Sequence, residues 1–241
     1  MNTSGICVLA VWASASVALP ARTAAQQADE LKPIRAWAGG NLMVARPVGE
    51  FDSYVGTGWG LSGHFAFKLD RDGLVSLRAD AGFVNYGNER KRVCLSPTIG
   101  CRIEVDLTTS NNIFAFSLGP QLAVPGGPVQ PYLHASLGGA YFATVSSVSG
   151  SSNTEDFAST TNFDDFTFAW QLGSGLRIPV HIGQSPFYLD FGARYNINGE
   201  VQYLTEGGII DNPDGSITLN PIRSEANLLT FVIGASFGVR W

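Results

Sequence analysis

The sequence predicts an all-β chain folded as a closed antiparallel barrel of eight strands. Three observations predict it. Bulky apolar side chains alternate with small or polar ones along seven stretches, with an eighth at the start of the folded region; a strand sends successive side chains to opposite faces, so strict alternation marks strands with two unlike faces. The links between these stretches alternate short and long. Glycine is abundant, at 28 of 241 residues, and disfavours helix interiors, whereas lysine and arginine together number only 15.

The first stretch precedes the barrel. Ile6 to Leu19 is an apolar run, followed by Pro20 and the small residues Thr23-Ala24-Ala25. It has the length of a secretory h-region and is too short for a bilayer-spanning helix, so residues 1–25 are expected to be a signal peptide cleaved after Ala25, although no Lys or Arg precedes the run. Its removal takes away Arg22 and Cys7 and no acid, leaving 14 basic and 20 acidic residues and two cysteines. That acidic balance argues against nucleic acid as a partner. Cys94 and Cys101, close together in an exported chain, are expected to form a disulfide worth roughly 2–3 kcal/mol, free thiols being the alternative. The pair has no His or further Cys beside it to complete a zinc set.

The strands follow in order. "RAWAGGNLMVAR" is counted first, with ambiguous parity. In the second, Thr57, Trp59, Leu61, Phe65 and Phe67 oppose Gly58, Gly60, Ser62, His64, Ala66 and Lys68. The third sets Val75, Leu77, Ala79, Ala81 and Phe83 against Ser76, Arg78, Asp80 and Gly82; the fourth sets Phe114, Phe116, Leu118, Pro120 and Leu122 against Ala115, Ser117, Gly119 and Gln121. In the fifth, Leu133, Ala135, Leu137 and Tyr141 oppose Tyr132, His134, Ser136 and Gly138. Phe166, Phe168, Trp170, Leu172, Leu176 and Ile178 of the sixth oppose Thr167, Gln171, Gly173, Gly175 and Arg177. In the seventh, Phe187, Leu189, Phe191, Tyr195 and Ile197 oppose Tyr188, Asp190, Gly192, Arg194 and Asn196. The last has Leu229, Phe231, Ile233, Ala235, Phe237 and Val239 on one parity, and ends on Trp241.

"KLDRDGL", "VPGGPV" and "PVHIGQSP" read as tight turns on one side. The cysteine loop around residues 87–110, the Ser/Thr-rich link near residues 146–163, and residues 198–226 read as long loops on the other, joined by the shorter "PVGEFDSY".

Alternation alone does not separate a membrane barrel from a soluble one. Charge and size do. The apolar faces of the seven clear strands carry no ionised side chain, and the opposite faces carry Lys68, Arg78, Asp80, Arg177, Asp190 and Arg194 amid Gly, Ala, Ser and Thr. A lysine or arginine facing lipid costs roughly 2–4 kcal/mol at the bilayer midplane, and a narrow lumen needs small residues. The bulky face is therefore expected to point outward, to lipid, in a transmembrane barrel. The charges, with His64, are expected to form a polar network plugging the interior. The strand edges then have to close, because an unpaired amide in lipid costs several kcal/mol.

This pattern, over residues from about 35 to 241, resembles the eight-stranded outer-membrane barrels of the outer-membrane protein A and opacity-protein type. The resemblance implies short periplasmic turns, long extracellular loops, a brief periplasmic segment at residues 26–34, and a monomer among outer-membrane lipids. It implies that Phe231, Ile233, Phe237, Val239 and Trp241 form the signal read by the barrel-insertion machinery, with tryptophan where phenylalanine is usual. Because the chain ends at the last strand, no peptidoglycan-binding domain is expected.

Sharper motifs weigh less. Gly58-Trp59-Gly60-Leu61-Ser62-Gly63 matches a dinucleotide fingerprint but sits inside a strand with no helix after it. His134 and Ser136 resemble the His-x-Ser pair of lipid A deacylases, also eight-stranded barrels; here the pair is on the inward face with no acid placed to orient the histidine. Residues 211–215, "DNPDG", read as a hairpin turn, with surface calcium the alternative. The reading that follows is a non-enzymatic barrel without cofactor or metal, contacting an extracellular ligand through its loops, the alternatives being a narrow solute pore and a lipid A-modifying enzyme.

Overall fold

A computed structural model describes residues 33–94, 101, 103–150, 155–182 and 185–240. The leader at residues 1–25, most of the segment 26–34, and Trp241 lie outside them.

Eight strands close into one antiparallel barrel: β1 (Ile34–Pro47), β2 (Gly58–Lys68), β3 (Val75–Cys94), β4 (Glu104–Ala123), β5 (Gln130–Gly150), β6 (Asp156–His181), β7 (Phe187–Asn198) and β12 (Leu228–Arg240). The seam is β1 against β12, in register from Ala36–Val239 to Pro47–Leu228. Two short ribbons lie between β7 and β12: β8 (Glu200–Tyr203) with β11 (Ile222–Glu225), and β9 (Ile209–Asp211) with β10 (Ile217–Leu219).

The faces are inverted relative to a water-soluble protein. Phe168 is 79% exposed, and Trp59, Leu118, Leu133, Trp170 and Ile233 are exposed with it. Arg78 and Arg177 are each 1% exposed and are the largest fully buried side chains among the described residues. The ambiguous first strand resolves in favour of Trp37, Asn41, Met43 and Ala45 inward and Leu42 outward.

The three tight turns sit where expected, and glycines at positive φ make two of them: Gly73 at +81°, and Gly126 and Gly127 at +79° and +85°. The long loops differ from expectation. Much of residues 87–110 is strand, with β3 and β4 paired as far as Cys94–Glu104 past a bulge at Asn85/Gly87. Residues 143–150 and 156–165 likewise continue β5 and β6. These strands run 20 to 26 residues, against 11 to 14 for β1, β2, β7 and β12. A tilted strand needs only about 9–11 residues to cross a bilayer, so roughly 30 Å of hairpin stands beyond the barrel. The physical reason these segments read as loops is that water wets both of their faces, so no apolar parity marks them. Cys94 and Cys101 are joined at the tip of the first hairpin.

Leu118 lies near the middle of the outward belt, paired with Ala79 and Leu137. Leu118→Arg is expected to cost about 2–4 kcal/mol when the chain folds into phospholipid vesicles. A urea titration checks it; an unchanged midpoint would show that this face does not meet hydrocarbon.

Candidate functional site

The lumen is stacked in three zones, built by the inward positions of all eight strands. At its centre is an ionic layer. Arg78 on β3 donates through Nε and Nη2 to both carboxylate oxygens of Asp80, at 2.8 and 2.9 Å. Its Nη1 donates to Gln121 at 2.9 Å. Arg194, from β7 across the barrel, brings Nη2 to 3.2 Å from Asp80. Asp190 accepts the Tyr132 hydroxyl at 2.6 Å, and His64 Nε2 lies 3.6 Å from its other oxygen. Buried charge is tolerated only when it is paired and hydrogen-bonded, and the bidentate Arg78–Asp80 contact supplies both. Small residues make room for the rings: a Cβ at Gly173 would strike the His134 imidazole, and one at Gly39 would meet the His64 ring.

Toward the short turns, Trp37, Ala66 and Tyr188 pack together. Arg177 lies here with its guanidinium 4.6 Å from the centre of the Trp37 ring. Lys68 stands at the mouth, its Nζ 4.8 Å from the same ring, and forms no ion pair among the described residues. Of the inward charges grouped as one network, Lys68 and Arg177 are thus held by aromatic faces, and the rest by hydrogen bonds and ion pairs. The reason is position: at the lumen's end the inward neighbours are rings, and the nearest acid, Asp70, is occupied in the turn.

Toward the long hairpins the lumen is shut by an aromatic plug that the sequence reading missed. The β1–β2 link folds inward through a 3₁₀ turn at Phe51–Ser53, and Phe51 is fully buried. Its ring packs edge-on against Tyr203 at 5.0 Å, Tyr86 at 5.8 Å and Phe142 at 6.2 Å between centroids. The Tyr86 hydroxyl donates to the Leu204 carbonyl at 3.3 Å, tying the plug to the β8 ribbon. A signal was present: Phe142 shares parity with Tyr132, His134 and Ser136, and so is a bulky ring on the inward face. Between plug and ionic layer remains a cavity of about 40 Å³, bordered by Met43, Asp80, Val84 and Arg194. That is room for a few water molecules.

His134 and Ser136 are both buried in the lumen. Ser136 donates to Ser117 Oγ at 3.1 Å, and no hydrogen bond joins it to His134. The geometry therefore lacks a nucleophile–base contact, and an acyl chain outside the barrel does not reach either group. Residues 211–215 form the β9–β10 hairpin turn, where Asp214 accepts from the Ser216 backbone and hydroxyl. No grouping of three His, Cys, Asp or Glu side chains able to hold a metal is found among the described residues.

On the outer hairpin, the basic run Arg90-Lys91-Arg92 is neutralised by its neighbours. Asp106 lies 2.8 Å from Arg90 and 3.4 Å from Arg92, and Lys91 lies 2.9 Å from Glu89. The Arg90 hydrogen bond holds the Asp106 carboxyl below the ordinary aspartate range, and Arg92 adds to it.

No family model and no curated protein matches the chain. Among solved structures it is similar to Neisserial surface protein A, at 16% identity and a TM-score of 0.44 over 86% of this chain and 97% of that one. It is also similar to the outer membrane protein OprG from Pseudomonas aeruginosa, at 12% identity and 0.45 over 88% and 98%. A major outer membrane protein from Thermus thermophilus gives 13% identity and 0.46 over 83% and 98%.

Two outcomes are expected from this geometry. Asp80→Ala strands Arg78 and Arg194 and should cost about 3–5 kcal/mol, whereas replacing Arg78 and Asp80 together by Met and Leu should cost much less. Denaturant titration of both variants measures the difference. At the tip, the depressed Asp106 pKa stabilises the hairpin at pH above the unfolded value of about 3.9, and that contribution is lost as pH falls through the folded value. Amide exchange at residues 90–94 should accordingly quicken on acidification below about pH 4, while barrel amides stay protected.

Proposed function

We propose that the chain is a non-enzymatic bacterial outer-membrane barrel with a sealed lumen, whose role lies in contacts made by its protruding hairpins. The observation that carries this reading is the double closure of the interior: the Phe51 plug on one side of a 40 Å³ cavity and the Arg78–Asp80–Arg194 layer on the other. An eight-stranded lumen is only wide enough for side chains to fill, and here they fill it. The outer-membrane setting is supported by the outward apolar belt and the absence of a free strand edge at the β1–β12 seam.

In this reading the short turns face the periplasm and the long hairpins face outward. The protein is a monomer in outer-membrane lipids, delivered by a leader at residues 1–25. Phe231, Ile233, Phe237 and Val239, all outward on β12 and followed by Trp241, serve the insertion machinery. The four hairpin strands beyond the barrel offer a paired, rigid surface, and loops and hairpins held on a rigid scaffold are where recognition residues concentrate.

Planar-bilayer recording on refolded protein tests the seal. No stable large conductance is expected; a steady one would make the chain a solute pore. Lipid A from cells with and without the gene is expected to have the same mass, and a lost acyl chain that returns with the wild type but not with Ser136→Ala would reinstate the enzyme.

A further inference from the structure

The turn-side mouth of the lumen holds a charge that the ionic layer leaves over. Within the lumen, three fully buried cations, Arg78, Arg177 and Arg194, face two buried carboxylates, Asp80 and Asp190. Asp80 is shared by Arg78 and Arg194. Asp190 stands opposite Arg177 in the β6–β7 register, yet its carboxylate takes the Tyr132 hydroxyl and faces His64 instead. The Nε and Nη2 donors of Arg177 have no hydrogen-bonding partner in the protein. Ring faces at 4.6, 5.7 and 5.9 Å, from Trp37, Tyr132 and Tyr188, cover the guanidinium. They attract the cation but accept none of its in-plane N–H groups. A buried donor left without an acceptor is costly, so these two are expected to have one.

The space for it is adjacent. A chamber of about 230 Å³ is bordered by Arg177, Lys68, Trp37, Tyr188, Gln130 and the 124–127 turn. That is several times the ~30 Å³ of a water molecule in the liquid. Lys68 adds a second positive charge, packed under the β2–β3 turn where a Cβ on Gly73 would touch its ammonium group. Asp70, the acid nearest that turn, has its oxygens committed to the N–H groups of Gly73, Leu74 and Val75 at 2.9 to 3.2 Å, and does not border the chamber.

We propose that this chamber binds a small free oxyanion of the phosphate or carboxylate class. Arg177 anchors it side-on, since Nε–H and Nη2–H point the same way and match two oxygens of one anion. Lys68 closes the site at the mouth, and the aromatic walls of Trp37 and Tyr188 hold the guanidinium in place. The chamber opens on the side of the short turns, so the anion comes from that compartment and never crosses the ionic layer.

The test uses the full chain folded in uncharged detergent, with arginine side chains labelled with nitrogen-15. Inorganic phosphate is titrated against chloride at matched ionic strength. One arginine Nε–H resonance, missing in Arg177→Gln, should shift saturably with phosphate and not with chloride, and calorimetry should report the same affinity. Lys68→Gln leaves every ion pair of the lumen intact and should weaken phosphate binding at least ~tenfold. Should Arg177→Gln fail to fold, the wild-type titration and Lys68→Gln still decide. A phosphate response no larger than that of chloride, or full affinity in Lys68→Gln, overturns the proposal. So does a shift seen only in nanodiscs in which phosphatidylglycerol replaces phosphatidylcholine, because the occupant would then be a lipid headgroup.

Discussion

The pairing of β12 with β1 is the constraint on which the rest of the structure depends. A sheet of eight strands with a bulky apolar face could curl that face inward around a hydrophobic core, or outward. Outward is possible only where the surround is itself apolar, and there an unpaired backbone amide has no water to turn to. The seam removes the problem by leaving the barrel no edge. Once closed with its hydrophobic face outside, the barrel has no conventional core, and the lumen must be held by something else.

What holds it is a layered substitute. In the middle, charged groups do the packing: Arg78, Asp80, Arg194 and Asp190 link β3 to β7 across the interior through hydrogen bonds with fixed directions. Such contacts contribute little net stability because desolvation opposes them, but they are strongly position-specific. At either end, where the barrel meets water, aromatic rings take over: Trp37 and Tyr188 beneath, Phe51, Tyr86, Phe142 and Tyr203 above. The hydrophobic effect can operate there because these rings are removed from water, whereas burial of the outward belt from lipid would yield nothing. The interior is therefore polar at its centre and apolar at its ends, the reverse of a soluble domain.

Much of this was legible in the sequence, and the reason is the period of two. Each strand crossing the apolar belt has one solvent on one side and a crowded lumen on the other, so Arg194 between Ala193 and Tyr195, or Asp190 between Leu189 and Phe191, declares its face. Where the surround changes to water on both sides the declaration fails: Thr108, Thr109, Ser146 and Thr160 are paired strand residues that read as loop. The β1–β2 link failed for a different reason. Whether Phe51 lies on the surface or under Tyr203 depends on a ring contributed about 150 residues later, and no local pattern encodes that contact. Likewise, the inward charges could be named from parity, but not their partners: Lys68 and Arg78 are ten residues apart on adjacent strands and end in different zones.

The unequal strand lengths follow from the same solvent boundary. Inside the belt, strand length is set by the thickness to be crossed, and β1, β2, β7 and β12 stop close to it. The four that continue, β3 to β6, do so as neighbours, which is the only arrangement that keeps their hydrogen bonds paired above the rim: each protruding strand has a partner rising beside it. On the other half of the rim the chain turns inward instead, with the Phe51 turn and the β8–β11 ribbon closing the opening. One half of the barrel is thereby built to project and the other to seal. A lumen sealed at the base of a rigid projecting sheet is poorly suited to moving solute, and well suited to presenting that sheet at a fixed height above the membrane.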